Sequence, residues 1–351
     1  MGKKEGNVIT RLLRRWFLDA FSAMALGVFA TLLMGTIIGQ IGAWTKLDML
    51  IKLGTFAKNG FVVGAAIGVA VANGLKVKPL VMFSAAVCGA VGYSDGGPLG
   101  AYVAALIGSE LANLVAGKTH FDIILVPAVS ILTGGTVGLF TGPYIDAFCD
   151  WIGLQIKLSM ELQPILMGMI VSCVMGLALT APISSAAIST VVFTQGLYAG
   201  NERAIALAAG AATVGCCCQM VGFAVSSYRE NGFSGLLAQG LGTSMLQVPN
   251  IMKHPLILIP PTLTSIILGA VSALDFVGMA NGPGVYGGMG TCGLVGPAGM
   301  WGYMMPNGFD WLIFVKIVLM CVILPAVLSF AISEAMRKLG WIKSGDMKLD
   351  L

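Results

Sequence analysis

The residues of this chain whose types and spacing suit chemistry are neutral hydroxyls, carboxamides and a histidine set in apolar sequence. The run LTAPISSAAIST, residues 179–190, gathers Thr180, Ser184, Ser185, Ser189 and Thr190 around Pro182. A proline frees a backbone carbonyl, and hydroxyls beside such a break can hydrogen-bond a neutral polyhydroxy solute. The same hydroxyls can instead bond local carbonyls and let a helix bend. A second run, QVPNIMKHPLILIPP at Gln247–Pro261, sets Gln247, Asn250, Lys253 and His254 ahead of an apolar segment that begins with Pro255 and also holds Pro260 and Pro261. Neutral imidazole both donates and accepts and titrates near physiological pH, while Pro255 pushes His254 out of helical geometry, toward the start of a helix. Polar side chains and broken backbone this close to hydrocarbon are tolerated mainly where protein covers them or a water-filled cavity meets them. The expectation is a polar solute site or its entrance, with Asn250 the leading contact, His254 second and Gln247 beside them.

Further candidates are sparser. The stretch NGPGVYGGMGTCGLVGPAG, Asn281–Gly299, is too glycine-rich for a simple helix and too apolar for a solvated loop; it offers Asn281, Thr291 and exposed backbone as solute contacts. Asp95 lies in the break GYSDGGPLG, where an acid is either an intramembrane functional group or a solvated turn. Glu110 and Asn113 stand one turn apart, in a cavity or at a helix end. The triplet Cys216–Cys218 looks metal-binding, but consecutive helical residues point about 100° apart, so small buried apolar side chains are expected. No GxxxxGK[ST], HExxH or GxSxG is present, and neither a catalytic residue, a cofactor nor a metal is expected.

The elements that must position these groups follow from composition. Of 351 residues, 57% are hydrophobic and only 10% charged, against roughly 25% charged in soluble domains. This predicts an all-α polytopic membrane protein, with lipid bilayer as its surroundings. The net charge of +4 points to no nucleic acid. The 48 glycines suit helices whose backbones touch in lipid. Apolar runs at Leu18–Ile41, Phe61–Leu75, Pro79–Gly92, Ala101–Ala116, Phe121–Tyr144, Pro164–Thr180, Arg203–Ser226, Phe233–Met245, Ile257–Leu274 and Trp311–Met336 predict about ten transmembrane helices, with re-entrant hairpins, Asn281–Gly299 among them. Trp44–Asn59 and Ile145–Ile156 read as surface helices. Lys3, Lys4, Arg11, Arg14 and Arg15 precede the first run and Arg337, Lys338, Lys343 and Lys348 follow the last, so both termini are expected on the cytoplasmic side. The first run is longer than a signal-peptide core and reads as a span.

An internal duplication is also expected. His120 is followed seven residues on by Pro127, and His254 seven on by Pro261; Ile123, Gly135 and Val137 match Ile257, Gly269 and Val271 in the same register. Upstream, Gly27, Met34 and Gly35 recur as Gly168, Met175 and Gly176. Such repeats are common in transporters. The plan is one transmembrane domain over 1–351: a basic cytoplasmic N-terminus at 1–16, a first repeat at 17–144, a second at 160–275, a re-entrant hairpin and last helix at 281–340, and a cytoplasmic tail at 341–351. Asn250 has no counterpart in the first copy, where Ala116 stands, which ranks it above His254.

Three of these runs, QVPNIMKHPLILIPPTLTSIILG, GMGTCGLVGP and LTAPISSAAI, resemble the EIIC-like membrane proteins of the bacterial phosphotransferase system, in the branch containing the perfringolysin-regulator-type proteins. The resemblance implies a dimeric bundle of about ten helices in the bacterial cytoplasmic membrane that moves a sugar or similar polar solute. It implies separate EIIB and EIIA partners, since no such domain is fused here, with any phosphate chemistry on EIIB. In glucose-type members a motif like ITEPIEF brings a glutamate to the sugar; Ala181 stands in that place here and Ser184 where the second acid would be. Two alternatives stay open: a membrane sensor or regulator that keeps a solute pocket, and a permease not coupled to phosphorylation.

Overall fold

The computed structural model describes Leu12 and residues 15–159, 163–181, 183, 185–193, 202–282, 284–306 and 309–349. Among these residues the chain is all-helical, with no strand. The elements are α1 (Arg15–Ala43), α2 (Asp48–Ala57), α3 (Gly60–Gly74), α4 (Pro79–Val115), α5 (Asp122–Ser159), α6 (Pro164–Thr180), α7 (Ser185–Val192), α8 (Glu202–Ser226), α9 (Tyr228–Leu237), α10 (Val248–Lys253), α11 (Ile259–Ser272), α12 (Val295–Met304) and α13 (Trp311–Lys338). Chain contacts group them into two units, one of residues up to Gly35 with Asp48–Ala147, the other of Thr36–Leu47 with Phe148–Leu351.

In the first unit, small residues let helix backbones touch, as the glycine content predicts. A methyl group placed on Gly68 of α3 would stand 2.1 Å from the Ala85 carbonyl oxygen of α4, and one on Gly64 would stand 2.6 Å from that of Gly89. The expected break at Gly92–Gly100 is real. Gly97 takes φ 56° and ψ −150°, and Pro98 follows. There α4 doubles back: Gly92 abuts the Gly100 carbonyl, Gly108 abuts the Cys88 sulfur, and Lys78 Nζ closes the base by donating to the Ala116 carbonyl at 2.7 Å. Each arm is about 27 Å long at 1.5 Å per residue. Helix α5 packs on this hairpin, with Cys88 Sγ donating to the Ser130 carbonyl at 3.2 Å. Glu110 serves a structural end: its carboxylate accepts from Trp16 Nε1 at 2.8 Å and pairs with Arg15 at 3.4 Å.

The second unit is built on α8, whose residues from Ala208 to Ala224 are all buried. Cys216, Cys217 and Cys218 pack there as small apolar side chains, Cys217 and Cys218 beside Met300 and Cys321. Helices α6 and α11 close on α8 and on each other through Gly215 against Ser172, Gly168 against Gly269, and a Ser172 hydroxyl donating to the Ser265 carbonyl at 2.5 Å. After α8 the chain turns at Gly232, φ 59° and ψ −156°, and its return arm runs back along α8, Gln239 Nε2 donating to Ser227 Oγ at 2.8 Å.

Two expectations are not met. Among the described residues six helices are long and apolar enough to cross a membrane, or up to seven if α2 and α3, bent by 53° at their break, count as one span; the expected count of about ten is not confirmed. An apolar run is not always a crossing: α6 is too short to qualify by itself, and Phe233–Met245 is chopped into short turns. Ile145–Ile156 is not a separate surface helix, because α5 runs through it. The described residues of Asn281–Gly299, the stretch expected to form a re-entrant hairpin, are irregular backbone and tight 3-10 turns feeding α12.

Candidate solute site at three backbone breaks

Three interruptions of helical backbone lie inside the second unit. In the first, α6 stops at Thr180, and Ala181 is extended before α7 begins at Ser185; Pro182 and Ser184 lie outside the described residues. In the second, a π-turn over Ala238–Gly242 passes through extended Thr243, φ −159° and ψ 143°, into a 3-10 turn over Ser244–Gln247. The third is the glycine-rich segment ahead of α12, where Gly284, Gly290 and Gly293 take positive φ. Each break removes helical partners from buried backbone, so side chains must supply them.

The breaks meet. Thr180 Oγ1 lies 2.9 Å from Ser244 Oγ, joining the first to the second. Thr291 Oγ1 donates to the Gly240 carbonyl at 2.5 Å, joining the third to the second. Ser185 Oγ donates to the Gly288 carbonyl at 2.7 Å and Ser189 Oγ to that of Gly284 at 2.6 Å, joining the first to the third. At the centre, Gln219 of α8 lies with Oε1 3.2 Å from Thr180 Oγ1 and Nε2 donating to Thr262 Oγ1 at 3.1 Å. Asn281 donates to Thr213 Oγ1 at 2.8 Å and to the Gly296 carbonyl at 3.2 Å. Thr180, Ser185, Gln219, Ser244, Asn281 and Thr291 are all buried. The groups brought together are neutral donors and acceptors, the chemistry that suits an uncharged, hydroxyl-rich solute.

The sequence-predicted residues therefore divide. Thr180, Ser185 and Thr291 each bond across to another break, while Asn281 bonds Thr213 of α8 and the Gly296 carbonyl. Gln247 and Asn250 are buried on the return arm beyond Ser244, where Gln247 Nε2 donates to the Met347 carbonyl at 3.0 Å and Asn250 Nδ2 to that of Lys348 at 2.8 Å. His254 is half exposed, with Nδ1 3.6 Å from Asp346. Asp95 is exposed beside the Gly97 turn of the first unit. Sequence reasoning missed Gln219, Ser244 and Thr262. A signal for Gln219 existed: a lone carboxamide in an otherwise small and apolar span, the kind of intramembrane polar residue that marks a site. A separate cavity of about 650 Å³ lies between α12 and α13, walled by Pro297, Trp301, Phe314, Ile317 and Cys321. Its lining is apolar, and none of the polar residues above forms part of it.

No curated protein and no solved structure matches the chain. Residues 18–349 match the family described as Phosphotransferase system, EIIC. A match over that span covers the α1 helix, the three breaks and the C-terminal segment alike, and the chain belongs to the phosphotransferase system EIIC family.

Proposed function

We propose that this multi-pass EIIC-family membrane protein is a permease subunit that carries a sugar or similar small polar solute across the bacterial cytoplasmic membrane. The solute is held where the three backbone breaks meet, by Thr180, Ser185, Gln219, Ser244, Asn281 and Thr291. The observation that carries this reading is the 2.9 Å approach of Thr180 Oγ1 to Ser244 Oγ. It joins two interrupted segments far apart in sequence, in the way transporter sites are assembled. Small separations of the breaks expose hydroxyl and carboxamide groups to a solute, which replaces the bonds they now make with one another. EIIB and EIIA proteins supply phosphate where transport is coupled to it; the homodimer, the perfringolysin-regulator-type branch and the cytoplasmic placing of both termini rest on the resemblance and on the basic ends of the chain.

One feature favours a second reading. Ala181 stands where the glucose-type motif has its glutamate, which fits a sensor that binds the solute without passing it on, or a permease without phosphorylation. Uptake of labelled sugars into proteoliposomes, with and without phosphorylated EIIB, separates these. Uptake that needs the phosphorylated partner supports the coupled permease, uptake without it supports the uncoupled one, and tight binding with no flux overturns transport.

A further inference from the structure

We infer that residues 343–349 are a displaceable latch that competes with solute for an amide cradle on the return arm; this rests on the permease reading above. The cradle is built from Asn231, Gln239, Gln247 and Asn250. Gln239 Nε2 donates to Ser227 Oγ at 2.8 Å, Gln247 Nε2 to Gln239 Oε1 at 2.9 Å, and Asn250 Nδ2 to Gln247 Oε1 at 2.9 Å. Toward the C-terminal segment every bond of this cradle ends on main chain. Asn231 Nδ2 and Gln247 Nε2 both donate to the Met347 carbonyl, at 2.8 and 3.0 Å. Asn250 Nδ2 donates to the Lys348 carbonyl at 2.8 Å, and Asn231 Oδ1 accepts from the Leu349 N–H at 2.8 Å. The segment is thus recognised by two successive carbonyl acceptors and one N–H donor of its main chain, not by its side chains.

A hydroxyl-rich solute presents the same mixture of closely spaced acceptors and donors. Its oxygens accept from the three carboxamide N–H groups and its O–H groups donate to Asn231 Oδ1. Emptying the cradle without a replacement would strand buried carboxamides, which is costly, so release of the segment and arrival of a polar solute are coupled. The cradle shares its arm with Ser244, whose hydroxyl meets Thr180, so an occupant of one constrains the other.

The segment is built to let go. It contains neither helix nor strand beyond α13. Gly340 and Gly345 take φ of 75° and 96°, and a methyl group on either would meet nothing within 4 Å. Among the described residues between these hinges and beyond them, only Ile342 and Met347 are buried, in a cluster with Phe223, Ile257 and Met336. Polar ties add Glu230 Oε1, which accepts from the Gly345 N–H at 3.2 Å, and Asp346, 3.6 Å from His254 Nδ1.

The test uses the full chain with Met347→Asp, which puts a carboxylate into the apolar cluster while leaving all four cradle amides in place. Ile342→Asp, at the other buried apolar side chain of the same cluster and outside the cradle, is the second variant should the first not fold. Trypsin cleavage at Lys343 and Lys348 reads release, and proteoliposome uptake of labelled glucose, galactose and mannitol reads the site. Expected are cleavage about tenfold faster in the variants, since proteolysis follows the open population, a several-fold rise in uptake at low sugar concentration, and faster cleavage of the unmodified protein when a transported sugar is added. Faster cleavage with unchanged uptake, or cleavage that neither variant accelerates, overturns the latch and leaves the permease standing. Absence of uptake for every sugar in the unmodified protein and both variants overturns the permease reading and the latch with it.

Discussion

Gly97 and Gly232 share one backbone conformation, φ 56° with ψ −150° and φ 59° with ψ −156°, and each sits at the tip of a helical hairpin. Gly232 follows Gly97 by one residue more than the spacing from His120 to His254, so the two tips fall in the register of the expected duplication. After the first tip the returning arm is continuous helix to Val115; after the second it breaks at Thr243. We propose from this match that the halves descend from one bundle, the second copy having diverged by breaking its arm.

Gly232→Ala should lower stability by about 1–3 kcal/mol, because this conformation is nearly closed to residues with a Cβ. The cause is backbone alone, since a methyl group at Gly232 meets nothing within 4 Å. Thermal unfolding in detergent reads it, and an unchanged midpoint would remove the need for glycine at the turn.

Two further glycine substitutions should have opposite signs. Gly68→Ala places a methyl group 2.1 Å from the Ala85 carbonyl oxygen and should sharply reduce folded yield. Gly135→Ala meets nothing within 4 Å and lies within α5, so it should stabilise by about 0.5–1 kcal/mol. Equal effects in a detergent melt would sink the view that touching backbones hold the first unit.

Removing the Thr180 hydroxyl with Thr180→Val should weaken solute binding by about 1 kcal/mol, roughly fivefold. Gln219→Leu should do more, because it also abandons Thr262 Oγ1. Calorimetric titration with a transported sugar is the measurement, and Asp95→Asn, at an exposed position in the other unit, should leave affinity unchanged.

Arg337 and Glu230 form a buried pair at 3.0 Å, with side chains only 11% and 6% exposed. Arg337→Met should cost about 3–5 kcal/mol by stranding the carboxylate. Adding Glu230→Gln should return much of that loss. A double variant less stable than the single one would contradict the charge argument and point to lost packing.

How much of this was readable in advance depends on how local each signal is. The spans, the glycine contacts and the Gly92–Gly100 break follow from composition within one stretch, and they were found. Apolar length alone cannot tell a single long helix from the two arms of a hairpin, because that depends on what Gly92 and Gly100 touch, so the helix count could not be fixed from sequence. Thr180, Ser185, Asn281 and Thr291 could be singled out in advance because each sits at a visible proline or glycine break. Ser244 and Thr262 carry no such mark. The docking of residues 343–349 was invisible for a different reason: the cradle binds carbonyl and amide groups that every sequence possesses.

The burial of α8 has a practical side. A run of three cysteines would ordinarily be removed before any thiol-directed probe is introduced, yet Cys216, Cys217 and Cys218 are wholly shielded by neighbouring helices. Aqueous maleimides should pass them by while the protein stays folded. Single reporter cysteines at exposed positions such as Ser344 can therefore be placed in a background that keeps the natural triplet, and sudden reactivity of that triplet becomes a built-in alarm for unfolding during reconstitution.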